Sequence, residues 1–304
     1  MKKLILLFLL MLSTGIFVGC VNKEDDNRER QDIEHVKGTA KVPVDVKKAA
    51  VYDLGILDII DSLEIEDVEL ALPTASYPEY LKKFEGRMVV GTVKEPDLEA
   101  LFNFEPDVIF ISTRMESFYS ELNKIAPTIY LDIDSSKYIS DLTRNVSVIA
   151  KVFNKTDIVN EKIQEVNQLI DSVKEITSTK TDKALIVLTN AGTFNVYGAG
   201  SRFGLIHDVL GIKQADTKIE ISTHGQSVSG EYFNSVNPDI IFVIDRTSVV
   251  EGNNGSDVLN TYIKDTNAFK SNKVILLDQQ VWYLVSGGLQ STKLMINEIF
   301  NAVK

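Results

Sequence analysis

One cysteine, one tryptophan, three histidines and seven prolines are all that this chain of 304 residues carries of those types, and each shortage removes a class of function. With Cys20 alone, an intrachain disulfide is impossible, so stability must come from a packed core. The histidines, His35, His207 and His224, are too few and too scattered for a zinc or manganese site built from several imidazoles and carboxylates. No G-x-S-x-G turn presents a hydrolase serine. The glycine-rich run GAGSRFG at 198–204 has Phe203 where the third glycine of a dinucleotide fingerprint belongs. Positive charge is short as well. The net charge is −11, and nucleic acid is a poor partner for such a surface.

Long apolar runs are also missing. The stretch from Leu4 to Leu12 falls well below the ~20 residues of a membrane span. Preceded by Lys2 and Lys3 and followed by Phe17-Val18-Gly19-Cys20, it reads as a secretory signal over residues 1–19. Cys20 and the polar VNKEDDNRERQD after it resemble a bacterial lipobox, which makes Cys20 the lipidation site. Residues 20–45 hold charges, Asn and Gln with few large apolar side chains, and so read as a disordered tether in which His35 is solvated.

What the chain does have is one stretch used twice. Residues 99–114 read EALFNFEPDVIFISTR and residues 231–246 read EYFNSVNPDIIFVIDR, an offset of 132 that aligns Glu99 with Glu231, Pro106 with Pro238, Asp107 with Asp239, Phe110 with Phe242 and Arg114 with Arg246. In each copy Pro-Asp ends a helical segment, because proline lacks an amide proton, and the apolar run that follows is a buried strand. The arginine comes at the strand's carboxyl end, where open α/β sheets bind ligands. Two such lobes face to face put Arg114 and Arg246 on opposite walls of one cleft. Glu99 and Glu231 open short helices, where a carboxylate complements the helix dipole; capping and a surface function are both open for them.

The pattern predicts an α/β chain of two Rossmann-like lobes, 46–136 and 182–304, joined through helices in 137–181. From Asp157 to Ile176 there is neither Gly nor Pro, which at 1.5 Å per residue makes a rigid connector of roughly 30 Å. A break at 154–157 supplies its N-cap. A helix is expected from about Ser201 to Leu210, closed by Gly211, with His207 packed inside it. Arg202 at its start is either an exposed first-turn residue or an anion ligand together with backbone amides. His224 stands in a Gly-flanked loop, and Trp282-Tyr283 follows a strand, so Tyr283 is placed to pack, to stack on a ligand or to bind a hard ferric ion as phenolate.

The segments DLGILDII, EPDVIFISTR, IAPTIYLD, ALIVLTN, SRFGLIHDVLGI, THGQSVSGEYF, NPDIIFVIDR and VWYLVSGG, in this order, resemble the catecholate (enterochelin-type) siderophore-binding lipoproteins of ABC importers over about residues 45–304. The resemblance implies the helix-linked, class III substrate-binding fold, with ligand held in a shallow cleft and little closure. It also implies a ligand-binding triad at Arg114, Arg202 and Arg246, with His224 and Tyr283 completing the Fe(III) shell when the siderophore is tetradentate. Glu99 and Glu231 become the residues that dock on the permease, which works with its ATPase. No intrinsic cofactor and no catalytic residue are implied; the ferric siderophore is cargo, carried by a monomer anchored at the outer face of the cell membrane. Tyr52 lies in a segment that departs from the commonest family wording and is left outside the site. A hydroxamate siderophore, haem or cobalamin carrier needs fewer arginines, an enzyme lacks its nucleophile here, and an adhesin would show no ligand response.

Overall fold

The structure, a computed structural model, describes residues 27–247 and 256–304; the expected signal segment and Cys20 lie outside the described residues. The described chain opens with an antiparallel hairpin, β1 (Arg30–His35) and β2 (Gly38–Pro43). The first lobe follows as β3 (Lys48–Val51), α1 (Leu54–Ser62), β4 (Glu69–Thr74), a 3-10 turn at Glu79–Phe84, β5 (Met88–Thr92), α2 (Leu98–Phe104), β6 (Val108–Ile111), α3 (Tyr119–Ile125) and β7 (Thr128–Tyr130). Two helices come next, α4 (Tyr138–Val152) and α5 (Val159–Thr177). The second lobe comprises β8 (Lys183–Asn190), β9 (Thr193–Tyr197), β10 (Lys213–Gln214), β11 (Gln226–Val228), α6 (Gly230–Val236), β12 (Ile240–Asp245), α7 (Ser256–Ile263), α8 (Asn267–Lys270), β13 (Val274–Leu276), α9 (Gln279–Leu284) and α10 (Leu289–Val303).

The first sheet runs β5-β4-β3-β6-β7 with every pairing parallel. The chain winds outward from β3 to β4 and β5, then returns to β6, so the strand order reverses between β3 and β6. The second sheet runs β11-β9-β8-β12-β13, parallel from β8 through β13 but antiparallel at β8–β9 and β9–β11. The antiparallel turn between β8 and β9 is Ala191-Gly192, both at positive φ (47° and 79°), which suits a two-residue hairpin turn. The equivalent reversal in this sheet lies between β8 and β12.

Period-two alternation assigns the core. On β6, Val108 and Phe110 face a core that also receives Ile240, Phe242 and Ile244 of β12 and residues of α1, α4, α5 and α10, so the two sheets share it. Ile109 and Ile111 face a core private to the first lobe, closed by Leu101 and Phe104 of α2. Ile241 and Val243 face the second lobe's own, with Phe233 of α6. A buried layer common to both lobes joins them.

Three expectations change. Residues 30–43 are a hairpin where a tether was expected, because its few apolar residues lie on one face: Ile33 and Val42 are fully buried while the polar alternates face out. His35 is accordingly half-buried. Its Nδ1 accepts from the Tyr130 amide at 3.2 Å and the Lys37 amide at 3.3 Å, and burial, then the nearby Lys37 charge, lowers its pKa. The segment after Arg202 is a wide turn with an i→i+5 bond from the Leu210 amide to the Leu205 carbonyl rather than a regular helix, though Gly211 does end it at φ 74°. Entry to α5 is a 3-10 turn at Thr156–Ile158 with no side-chain cap.

Candidate functional site

The duplicated stretch produces the same turn twice. α2 ends at Glu105 and α6 at Asn237, both left-handed (φ 54° and 47°), and Pro106 or Pro238 follows. Asp107 then accepts the Lys47 and Lys48 amides at 2.7 and 3.0 Å, and Asp239 accepts the Lys183 amide at 3.0 Å. These carboxylates pin the start of β6 beside β3 and of β12 beside β8. Arg114 and Arg246 are thereby delivered to the carboxyl ends of the two strands at which the sheet order reverses.

Each arginine meets a partner from the neighbouring strand's end. Arg114 lies 3.8 Å from the carboxylate of Asp53, which follows β3, caps α1 and accepts from Ser112 Oγ at 2.5 Å. Arg246 donates to Asn190 at the end of β8. Neither Asp53 nor Asn190 is prominent in the sequence. Their signal was positional, since both sit at the carboxyl end of a central strand.

The three arginines converge on Tyr283, in the last turn of α9. The Tyr283 carbonyl accepts from Arg114 Nη2 at 3.0 Å and from Arg202 Nη2 at 2.7 Å. The Tyr283 hydroxyl accepts from Arg246 Nε at 2.8 Å. Arg202 also lies over the phenol ring, 4.4 Å from its centroid, and Arg246 lies 5.7 Å from it. One carbonyl at a helix carboxyl end, which has no helical partner, thus holds a guanidinium from each lobe.

Electrostatics follow from this crowding. Burial, and then the charge of Arg114, lowers the pKa of Arg202. Burial alone would raise the Tyr283 phenol, but the Arg246 hydrogen bond and the Arg202 and Arg246 charges outweigh it and hold the phenol below its ordinary value. Three guanidiniums face Asp53 alone as the carboxylate in ion-pair range among the described residues, an excess that suits an anion. A depressed phenol pKa favours the phenolate, the form that binds ferric iron.

His224 stands outside this hydrogen-bonded cluster. Its side chain is exposed on the loop before β11, its amide donates to Ser222 Oγ at 3.2 Å, and its carbonyl accepts from Asn195. The loop still borders the cluster, because Gly225 packs so closely on Tyr197 that a Cβ there would stand 2.7 Å from the ring, and Tyr197 meets Phe203, the residue after Arg202, edge to face. His207 is packed as expected, its Nδ1 donating to the Ile212 carbonyl at 2.8 Å. Tyr52 is buried, its hydroxyl donating to the Val90 carbonyl at 2.9 Å, so it takes no part in the site.

Glu99 and Glu231 sit in the first turns of α2 and α6 and are exposed. Capping of α2 falls to Asp97, which accepts the Ala100 amide at 2.9 Å. Glu231 has its pKa lowered by hydrogen bonds from the Ser229 hydroxyl and its own amide. No cluster of three or more His, Cys, Asp or Glu residues suited to a metal ion occurs among the described residues.

Comparison with known proteins places this geometry. The family model for "Periplasmic binding protein" matches residues 50–281. The chain is 40% identical over 311 residues to the petrobactin-binding protein YclQ of Bacillus subtilis, covering 98% of each. It is 32% identical to the ferric-anguibactin-binding protein FatB of Vibrio anguillarum, covering 88% of this chain and 85% of that one. The crystal structure of YclQ superposes with a TM-score of 0.87, covering 91% of this chain and 99% of that one. That of the periplasmic catecholate-siderophore-binding protein VctP of Vibrio cholerae is 30% identical, with a TM-score of 0.82 over 89% and 99%.

Proposed function

Because the chain belongs to the periplasmic binding protein family, we propose that it is an extracytoplasmic, lipid-anchored carrier that captures a ferric catecholate siderophore and delivers it to an ABC permease for iron uptake. The observation that carries this reading is the convergence of Arg114, Arg202 and Arg246 on Tyr283. A ferric catecholate is a multiply charged anion with aromatic faces. Guanidiniums bind such oxygens through charge-assisted hydrogen bonds and stack on the rings, and they stay charged at any physiological pH. At roughly 1.5–3 kcal/mol for each such bond, three supply at least about half of the ~8 kcal/mol of a micromolar complex.

The Tyr283 carbonyl accepts from Arg114 and Arg202, and the oxygens of a bound anion compete with it for the same donors. A hexadentate ligand leaves no position on iron to fill. A tetradentate one leaves two, which the Tyr283 phenolate and the His224 imidazole fill. The names of the relatives support an iron-siderophore cargo, and that of VctP supports the catecholate class. Cys20 carries the lipid, and Glu99 and Glu231, one on each lobe, dock on the permease.

The test is a titration followed through Trp282, the only tryptophan in the chain. Iron(III)-petrobactin and iron(III)-enterobactin quench its emission, and a ferric hydroxamate does not. Arg114→Ala, Arg202→Ala and Arg246→Ala each weaken binding, by roughly tenfold or more, through an unpaired anion in the cleft. Unchanged affinity in all three variants ends the proposal.

A further inference from the structure

The sequence DLGILDIID hides an acidic residue in an apolar helix face. Asp58, on α1 of the first lobe, is completely buried. Its carboxylate accepts the Gln290 and Ser291 amides, each at 2.7 Å, where α10 of the second lobe begins. It also accepts from the Tyr80 hydroxyl at 2.7 Å and from Ser62 Oγ at 3.3 Å. No cation among the described residues pairs with it. Burying a carboxylate this way costs free energy unless every lone pair finds a donor. Here the Gln290 amide meets Oδ1 and the Ser291 amide meets Oδ2, an arrangement that Asn, with one acceptor oxygen and an NH2 donor in place of the other, does not reproduce.

The surroundings are cut to fit. A Cβ at Gly288 would stand 2.3 Å from Asp58 Cγ, and one at Gly55 would stand 3.1 Å from the Ser286 carbonyl. Tyr138 adds a second stitch, its hydroxyl accepting from the Gly287 amide at 3.1 Å and bonding Thr292 at 3.0 Å.

The ligand cleft lies a few residues away on both sides. Asp53, at the start of the same helix α1, stands beside Arg114. Tyr283, whose carbonyl holds Arg114, precedes the clasped segment 286–291 directly in the chain. We propose that Asp58 is the positioning residue of the cleft: its carboxylate clasps the start of α10 to the first lobe and so fixes where Arg114 stands relative to Tyr283. Taken together with the shared core, the clasp presents the arginines already in place for the ligand. That last step rests on the ligand reading above; the clasp itself does not.

The test measures the distance between lobes. In the chain carrying Cys20→Ser, spin labels go on Asn103→Cys and Ser235→Cys, exposed and equivalent positions on α2 and α6. Electron-electron resonance then gives a narrow distance distribution in the parent, unchanged by iron(III)-petrobactin. Asp58→Asn broadens it at least twofold without ligand, and so does Gly288→Ala, which forces the clasp apart while keeping the carboxylate. Ile263→Val, a substitution in the second lobe's private core, leaves it narrow. With one molecule in ten still competent, the Kd for iron(III)-petrobactin rises about tenfold in Asp58→Asn.

A distribution that stays narrow in folded Asp58→Asn and Gly288→Ala overturns the proposal, as does one that broadens equally in Ile263→Val. Should the parent fail to bind any ferric catecholate, the ligand reading falls, while the distances without ligand still decide the clasp.

Discussion

The two lobes share a turn and differ in what they build on it. In both, a left-handed residue, a proline and an aspartate bring a central strand to the same edge, and an arginine follows. Beyond that point they diverge. The first lobe is a fully parallel sheet whose arginine stands near an acid, Asp53. The second is a mixed sheet whose arginine is held by a neutral amide, Asn190, and whose wide turn after β9 adds a second guanidinium, Arg202. A turn that satisfies its own backbone can be duplicated intact, because it needs only the adjacent strand. Residues that reach into the cleft answer to everything around them, so duplication does not preserve their partners.

The largest way to break this symmetry is at the exposed first turns of α2 and α6. Reversing Glu99 and Glu231 together to Lys abolishes uptake in cells while the purified protein keeps its ligand affinity; uptake that survives makes both residues helix-dipole partners only. Next comes the cleft. Since Asp53 already offsets part of the Arg114 charge, Arg202→Ala and Arg246→Ala weaken iron(III)-petrobactin more than Arg114→Ala does, by roughly threefold to tenfold, a part of the value of one charged hydrogen bond. Equal losses from both lobes refute the distinction drawn from Asp53 and Asn190.

A smaller effect concerns protons. The Arg246 hydrogen bond is the chief influence holding the Tyr283 phenol below its usual value, so Arg246→Gln moves the onset of an iron-phenolate charge-transfer band to higher pH. Tyr283→Phe removes that band altogether. The smallest effect separates the two copies of the turn. Asp107 accepts two amides and also pairs with Arg28, while Asp239 accepts one amide and the Asn267 side chain. Urea unfolding therefore gives a loss of about 2 kcal/mol for Asp107→Ala and about 1 kcal/mol for Asp239→Ala. The Asp107 carboxyl is partly buried, which alone would raise its pKa, but the Arg28 hydrogen bond and the Lys47 and Lys48 amides hold it lower. Its contribution is complete above the unfolded carboxylate pKa and disappears as pH falls through the lower folded value.

Much of this was legible in the residues. The repeat located both central strands and the arginine at the end of each, and the resemblance pointed to five side chains for the proposed ligand site, four of which lie in one hydrogen-bonded cluster. The hairpin at 30–43 was not legible, because a composition rich in charge hides a face made of few apolar residues. The irregular turn at 201–210 was missed because apolar spacing reports which face is buried and not which amide bonds which carbonyl.

Local rules fixed the turn, the strands and the placing of an arginine at each strand's end, since sterics and period-two burial act over a few neighbouring residues. Only the folded chain decided that Asp53 and Asn190 would flank those arginines, that a backbone carbonyl at Tyr283 would hold guanidiniums from both lobes, and that Asp58 would join α1 to α10. Those contacts link residues 56 to 233 positions apart. Such pairings depend on how two sheets pack across a common core, and no local pattern encodes that.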